Sequence, residues 1–230
     1  MLLPGLGEAD APAIIRVGIA LSLTLVLLPV VAPLVTVAPV GFLMFAKMIS
    51  AEIINGLWLG WLSRIIVLAL PIAGQMISYM LGLSSVLQAD AGMGPGTTAL
   101  GRLFSLAIPV TLLSSGLYAL PVTALVGSYQ LIPPGHLLSA QLGAEQAVAT
   151  VSAGFSLALR LASPFLIASV VWYTAVGLMS RLTARIQLYF VAAPAQILGG
   201  ICLFGFLIGI VITLWQRIIG DQFAALPGLH

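Results

Sequence analysis

The sequence predicts an all-α, polytopic membrane protein: about five hydrophobic helical segments with kinks and hairpins, forming one integral membrane domain over residues 1–230. Three observations carry this. Hydrophobic residues make up 61% of the chain and charged residues 6%. Soluble domains carry about 25% charged residues, so this chain lacks the groups needed to cover a water-facing surface. The mean hydropathy of +1.19 points the same way. Finally, apolar stretches recur at the length of roughly 20 residues that a helix needs to cross the bilayer core.

The chain opens Met1-Leu2-Leu3-Pro4-Gly5-Leu6-Gly7-Glu8. With no basic start, and with Glu8 and Asp10 close by, it does not read as a signal peptide. The first span is expected from Ile14 to about Val31. Pro29 removes a backbone donor and crowds the preceding turn, so its helix is expected to end near Leu28, with a Pro-containing connection to Pro39. Val40 to about Leu83 is too long for one span at about 1.5 Å per residue. It is interrupted by Lys47, Glu52, Arg64 and Pro71, and is expected to form two helices or one long kinked helix.

Gln88 to Gly101 (QADAGMGPGTTALG) is a loop by its Gly and Pro content. A third span covers Leu103 to about Val126, with Pro109 and Pro121 inside it. Gly127 to Ala149, which holds Pro133-Pro134-Gly135, is expected to be a long polar connection. A fourth span covers Val151 to Leu178, Ser180 to Gln187 is a short basic turn, and a fifth span covers Leu188 to Trp215. The tail from Gln216 to His230 is mixed and expected at the interface. Arg181 and Arg185 place the 180–187 turn in the cytoplasm, and the 127–149 connection, free of Lys and Arg, outside.

Several function classes fall away. The net charge of +2, without a basic run, does not fit nucleic-acid binding. A single cysteine, Cys202, allows no internal disulfide and no multi-Cys metal site. The histidines are His136 and His230, and there is no HExxH helix, GxSxG turn or Gly-rich phosphate loop. Asp90 has no second intramembrane aspartate to work with. The groups that general acid–base catalysis requires are missing, so no enzyme activity and no cofactor are expected.

Charges at membrane depth cost about 2.5–3.5 kcal/mol each on insertion scales, so they are paired, hydrated or turned toward protein. Lys47, Glu52, Arg64 and Arg160 need such a reason, with a structural or interface role favoured over direct transport. Gly56 and Gly60 bracket one GxxxG pattern, and Gly205 and Gly209 another. The pattern permits close helix approach, although chance alone gives about two or three such pairs at this glycine content.

Context adds to these patterns. Glu52-Ile53-Ile54-Asn55-Gly56-Leu57-Trp58-Leu59-Gly60 resembles the E-x-x-x-G-x-x-x-G helix of the FliR family of flagellar and injectisome export proteins. Ala73-Gly74-Gln75-Met76-Ile77-Ser78 followed by Gly82-Leu83-Ser84 is similar to that family's A-G-x-x-I-x…G-L-S segment. Ile132-Pro133-Pro134-Gly135 resembles its L-P-x-G connection, Gly177-Leu178-Met179-Ser180-Arg181 its G-L-x-x-R turn, and Pro194 falls at a later family proline. Order and spacing agree from about Ala11 to Leu214. The sequence departs from the pattern at Met80, Leu81, Ala91 and Ala184-Arg185. It also lacks a histidine near Gly116, and it starts near the family's second hydrophobic helix.

The resemblance implies a structural and gating subunit of the flagellar type III export channel, in the bacterial inner membrane and the flagellar basal body. It would assemble with FliP-like and FliQ-like subunits, and with FlhB-like and FlhA-like proteins, to pass unfolded proteins. It implies a pore-closing segment at Met80, Leu81, Gly82, Leu83 and Ser84. It also implies assembly roles for Lys47, Glu52, Gly56, Gly60, Arg64 and Arg181. Two alternatives stand beside it. One is the injectisome homologue; the other, of a different class, is a stand-alone small-molecule transporter or ion channel. For the gate segment the bland alternative is a helix-end turn packed against a neighbour.

Overall fold

The computed structural model describes residues 2–8, 11–34, 41–83, 98–182 and 188–229. These form helices and no strand. We label the helices α1 (Ala13–Val31), α2 (Phe42–Met80), α3 (Ala99–Ser115), α4 (Ala119–Leu131), α5 (Ala140–Leu182) and α6 (Leu188–Ala224). Four of the described helices are long and apolar enough to cross a membrane, and α3 with α4 makes a fifth candidate bent by 74°. The chain is thus an all-α polytopic membrane protein.

The boundaries decide between alternatives for α2 and correct other expectations. The α1 helix runs through Pro29 to Val31 and continues as a 3-10 turn, Ala32–Leu34. The Ala32 N–H still reaches the Leu28 carbonyl, so the proline costs a bond without ending the helix. The region after Pro39 is a single helix, α2, of 39 residues with Pro71 inside it. The third span is broken: α3 ends at Ser115, Gly116 takes φ +74°, and α4 starts at Ala119. A left-handed φ is open to glycine at little cost, which lets the path turn there.

The polar connection shrinks to residues 132–139, because α4 continues to Leu131 and α5 starts at Ala140. The start of α5, Ala140-Gln141-Leu142-Gly143-Ala144-Glu145-Gln146-Ala147, is rich in good helix formers yet only moderately apolar. Hydropathy therefore misses it. The loop expected over Gln88–Gly101 lies mostly outside the described residues, but its last residues, from Ala99, are already helical. Ser84, Asp90 and Arg185 also lie outside the described residues. The tail expected from Gln216 begins as helix: α6 continues to Ala224, and Ile219, Phe223 and Leu226 are buried.

Three helices are far longer than a simple span. The 39, 43 and 37 residues of α2, α5 and α6 correspond to paths of about 55–65 Å, against a hydrocarbon core of about 30 Å.

The chain divides into two compact units. One holds residues 1–67, 108–154 and 217–230. Its core gathers Leu59, Leu62, Ile66, Leu112, Ala124, Ile219 and Phe223. The other holds residues 68–107 and 155–216, with Leu70, Ala73, Ile77, Phe104, Leu161, Phe165 and Trp215 in its core. Buried positions along α2 include 59, 62, 63, 66, 67, 69, 70, 73 and 77, which recur at helical spacing. In the second unit Phe204 lies between Phe104 and Phe165, with ring centroids 5.8 and 6.3 Å away.

Candidate functional site

The polar residues of α2 are satisfied by backbone distant in sequence. In the first unit, Glu52 Oε1 accepts the Gly135 N–H at 3.0 Å. Asn55 takes both sides of the same turn. Its Nδ2 donates to the His136 carbonyl at 2.8 Å, and its Oδ1 accepts the Leu138 N–H at 3.3 Å. Tyr129 on α4 reaches the Glu52 carboxylate as well. Gly135 sits at φ +83°, which brings its N–H to Glu52 without the strain another residue would carry. The E-x-x-x-G helix and the Pro-Pro-Gly connection, 83 residues apart, are therefore one clamp.

Further along α2, Arg64 Nη2 donates to Glu8 Oε2 at 3.2 Å, and Nη1 reaches the Gly7 carbonyl at 3.5 Å. Glu8 Oε1 accepts the Gly5 N–H at 3.0 Å, so the ion pair also pins the N-terminal turn. The two GxxxG glycines differ. A Cβ on Gly60 would stand 2.8 Å from Leu2 Cβ, whereas one on Gly56 would meet nothing within 4 Å. Gly60 thus seats this chain's own N-terminal segment, and Gly56 faces open space. Lys47 and Arg181 are exposed, with Arg181 in the last turn of α5.

In the second unit, the A-G-x-x-I-x segment is a packing surface. Ala73, Ile77 and Ser78 are buried. A Cβ on Gly74 would fall 2.9 Å from the Leu100 carbonyl oxygen and 2.6 Å from the Phe104 ring. On the facing helix, a Cβ on Gly101 would fall 2.9 Å from Gln75 Cγ. Small residues on both sides let α2 and α3 pack closely.

The segment expected to help close a pore follows directly. Helix α2 ends at Met80, and Gly82 takes φ +70°, the left-handed glycine that commonly terminates helices. Leu81 N–H donates to the Ile77 carbonyl at 2.9 Å, and Gly82 N–H to the Tyr79 carbonyl at 3.3 Å. Leu81 and Leu83 are buried at 4% and 2% exposure, while Met80 and Gly82 stay partly exposed. Gln196 on α6 holds this helix end. Its Nε2 donates to the Met80 carbonyl at 3.2 Å and to the Tyr173 hydroxyl oxygen at 3.0 Å. A Cβ on Gly82 would come within 3.3 Å of the same amide. Beside it is a cavity of about 120 Å³, lined among others by Met80, Leu81, Trp172 and Gly200.

With this geometry established, comparison identifies the family. The family of bacterial export proteins, family 1, matches residues 1–222. The chain belongs to that family. It is 30% identical over 215 residues to the flagellar biosynthetic protein FliR of Caulobacter vibrioides, covering 94% of this chain and 86% of the relative. It is 25% identical to the secretion system apparatus protein SsaT of Salmonella typhimurium, over 85% of this chain and 77% of the relative. It is 23% identical to FliR of Escherichia coli, over 98% and 86%. As a member of this family it is a multi-pass inner-membrane subunit of a type III protein-export channel.

Two supports of the export-family motifs were not legible in the sequence. A single amide in an apolar helix, such as Gln196 or Asn55, carries no spacing signal. Each acts through a bond spanning 81 or more residues. The nearest sequence hint for Gln196 is Pro194, two residues before it.

Proposed function

We propose that this chain is a structural and gating subunit of the flagellar export channel, assembled with FliP-like and FliQ-like subunits and working beside FlhB-like and FlhA-like proteins. Unfolded flagellar proteins are its cargo. It catalyses no reaction, and energy comes from other components. The observation that carries the assembly reading is the unpartnered apolar length of its helices. None of the 19 residues of α1 is buried in this chain, and Phe42, Leu43, Phe206 and Ile210 are at least 60% exposed on helices about twice as long as a bilayer core is thick. Such faces suit neighbouring subunits as well as lipid. Gly56, with open space beyond it, and the exposed Lys47 and Arg181 are further assembly candidates.

Met80 to Ser84 acts in this proposal as part of the closure of the pore. Met80 supplies an apolar side chain to the constriction, and the buried Leu81 and Leu83 form its base. A narrow hydrophobic constriction dewets and blocks ions, yet it yields to a passing chain without stripping charges from it. Similarity to SsaT supports an injectisome as the second reading. Co-purification after in-membrane cross-linking tests the assembly. The expected result is recovery with FliP- and FliQ-like proteins and flagellar substrates. Recovery with injectisome components favours the second reading, and a monodisperse lone chain that conducts ions favours a stand-alone channel.

A further inference from the structure

We infer that Gln196 is a positioning residue that latches the gate turn; this rests on reading Met80 to Ser84 as part of the gate. A helix end leaves its last carbonyls without intrahelical donors. In the second unit, the Met80 carbonyl obtains one from the Gln196 side chain at 3.2 Å. The same amide nitrogen also donates to the Tyr173 hydroxyl at 3.0 Å, so both of its hydrogens are used and the amide is held in one orientation. The bond ties helices α2, α5 and α6 together at the residue where the gate segment leaves α2.

The surroundings are shaped for this contact. Gly82, at φ +70°, leaves room for the amide, since a Cβ there would stand 3.3 Å from Nε2. Gly200, one helical turn along α6 from Gln196, leaves room for Leu81, since a Cβ there would stand 3.0 Å from Leu81 Cβ. Met80 and Leu81 also border the cavity of about 120 Å³ that Gln196, Trp172 and Leu203 help line. Among the described residues the turn thus receives a neutral side-chain bond, with unfilled volume next to it. A net contribution of a neutral hydrogen bond is about 0.5–1.5 kcal/mol. A latch of that strength holds the resting turn and releases it without the cost of separating buried charges.

The test uses the assembled complex with its partner subunits and compares Gln196→Leu and Gln196→Glu with the natural chain. The Glu variant keeps the shape but replaces the donor by an acceptor. Two readouts are taken: hydrogen exchange of the Leu81 and Gly82 amides, and leakage of ions and small solutes. Loss of the latch is expected to speed exchange at these amides by about two- to tenfold and to raise leakage, with assembly intact. Tyr173→Phe, which spares the bond to Met80, is expected to have a smaller effect on both. Unchanged exchange in both Gln196 variants overturns the latch, even if other changes to the segment cause leakage. Faster exchange without leakage upholds the bond as a support of the turn and overturns the gate reading beneath it. Failure of both variants to assemble makes Gln196 a packing residue and overturns the latch.

Discussion

The two ends of α2 are held by different means. Near its start, in the first unit, Glu52 and Asn55 make three hydrogen bonds to the backbone of residues 135–138, and Arg64 adds an ion pair and a carbonyl contact to the N-terminal turn. At its end, in the second unit, the proposed gate turn receives a neutral side-chain bond from Gln196. Hydrogen bonds to charged groups contribute about 1.5–3 kcal/mol, neutral ones about 0.5–1.5. The difference teaches that polar residues in this apolar chain are divided by task. Several bonds, one of them to the Glu52 carboxylate and two from the Asn55 amide, fix a turn that must stay, and the Gln196 amide helps hold a turn that the proposed mechanism must move.

The largest expected effect lies in neither polar region but at the close helix contact beneath the gate. Gly74→Ile is expected to destabilise the second unit by about 3 kcal/mol or more, because the new Cβ meets a backbone carbonyl and the Phe104 ring. Thermal melting of the complex and its recovered yield check this. An undisturbed melt means α2 and α3 have more freedom than their small residues suggest.

The charged clamp comes next. Glu52→Leu leaves the Gly135 N–H without its acceptor and is expected to cost about 1–3 kcal/mol. Glu52→Gln keeps an acceptor and is expected to cost less. Chemical denaturation of the complex separates them; equal losses sink the view that the bond to Gly135, and not the carboxylate charge, is what matters.

The smallest folding effects sharpen the contrast between two glycines that the sequence makes equivalent. Gly60→Ala is expected to cost about 1 kcal/mol, because the new methyl displaces Leu2. Gly56→Ala meets nothing within 4 Å among the described residues and, by helix propensity, is expected to be neutral or slightly stabilising. A loss of assembly in Gly56→Leu with an unchanged fold then marks a partner-facing surface. Normal assembly in that variant makes the face a lipid contact.

Much of the fold was legible because the apolar stretches are long and separated by Gly and Pro. The class, the position of the main helices and the alternative of one long kinked α2 follow from composition and length. The early end expected for the first helix came from the weight given to Pro29, which lies inside a helix as Pro71, Pro109, Pro164 and Pro194 do; neighbouring helices and side chains let a membrane helix absorb a missing donor. The break in the third span came instead at Gly116. Of the candidate site, Glu52 and Arg64 were found because a charge in an apolar run demands a partner. Their partners, Gly135 and Glu8, were not, since each lies more than 50 residues away. The burial of Leu81 and Leu83 was equally invisible, and it changes how the gate is best probed. Deleting residues 78–84 would remove the buried Ser78, Leu81 and Leu83 and damage the core along with the gate.

A single polar substitution at the partly exposed Met80 is the most direct measurement. In the assembled complex, Met80→Asn keeps the backbone carbonyl that Gln196 holds and leaves the core beneath it in place, while hydrating the proposed constriction. Conductance and small-solute leakage are compared with the natural complex at matched amounts of assembled protein. The gate account predicts normal assembly with leakage raised well above the natural level. Normal assembly with natural conductance would contradict it and leave Met80 to Leu83 as a packed helix end.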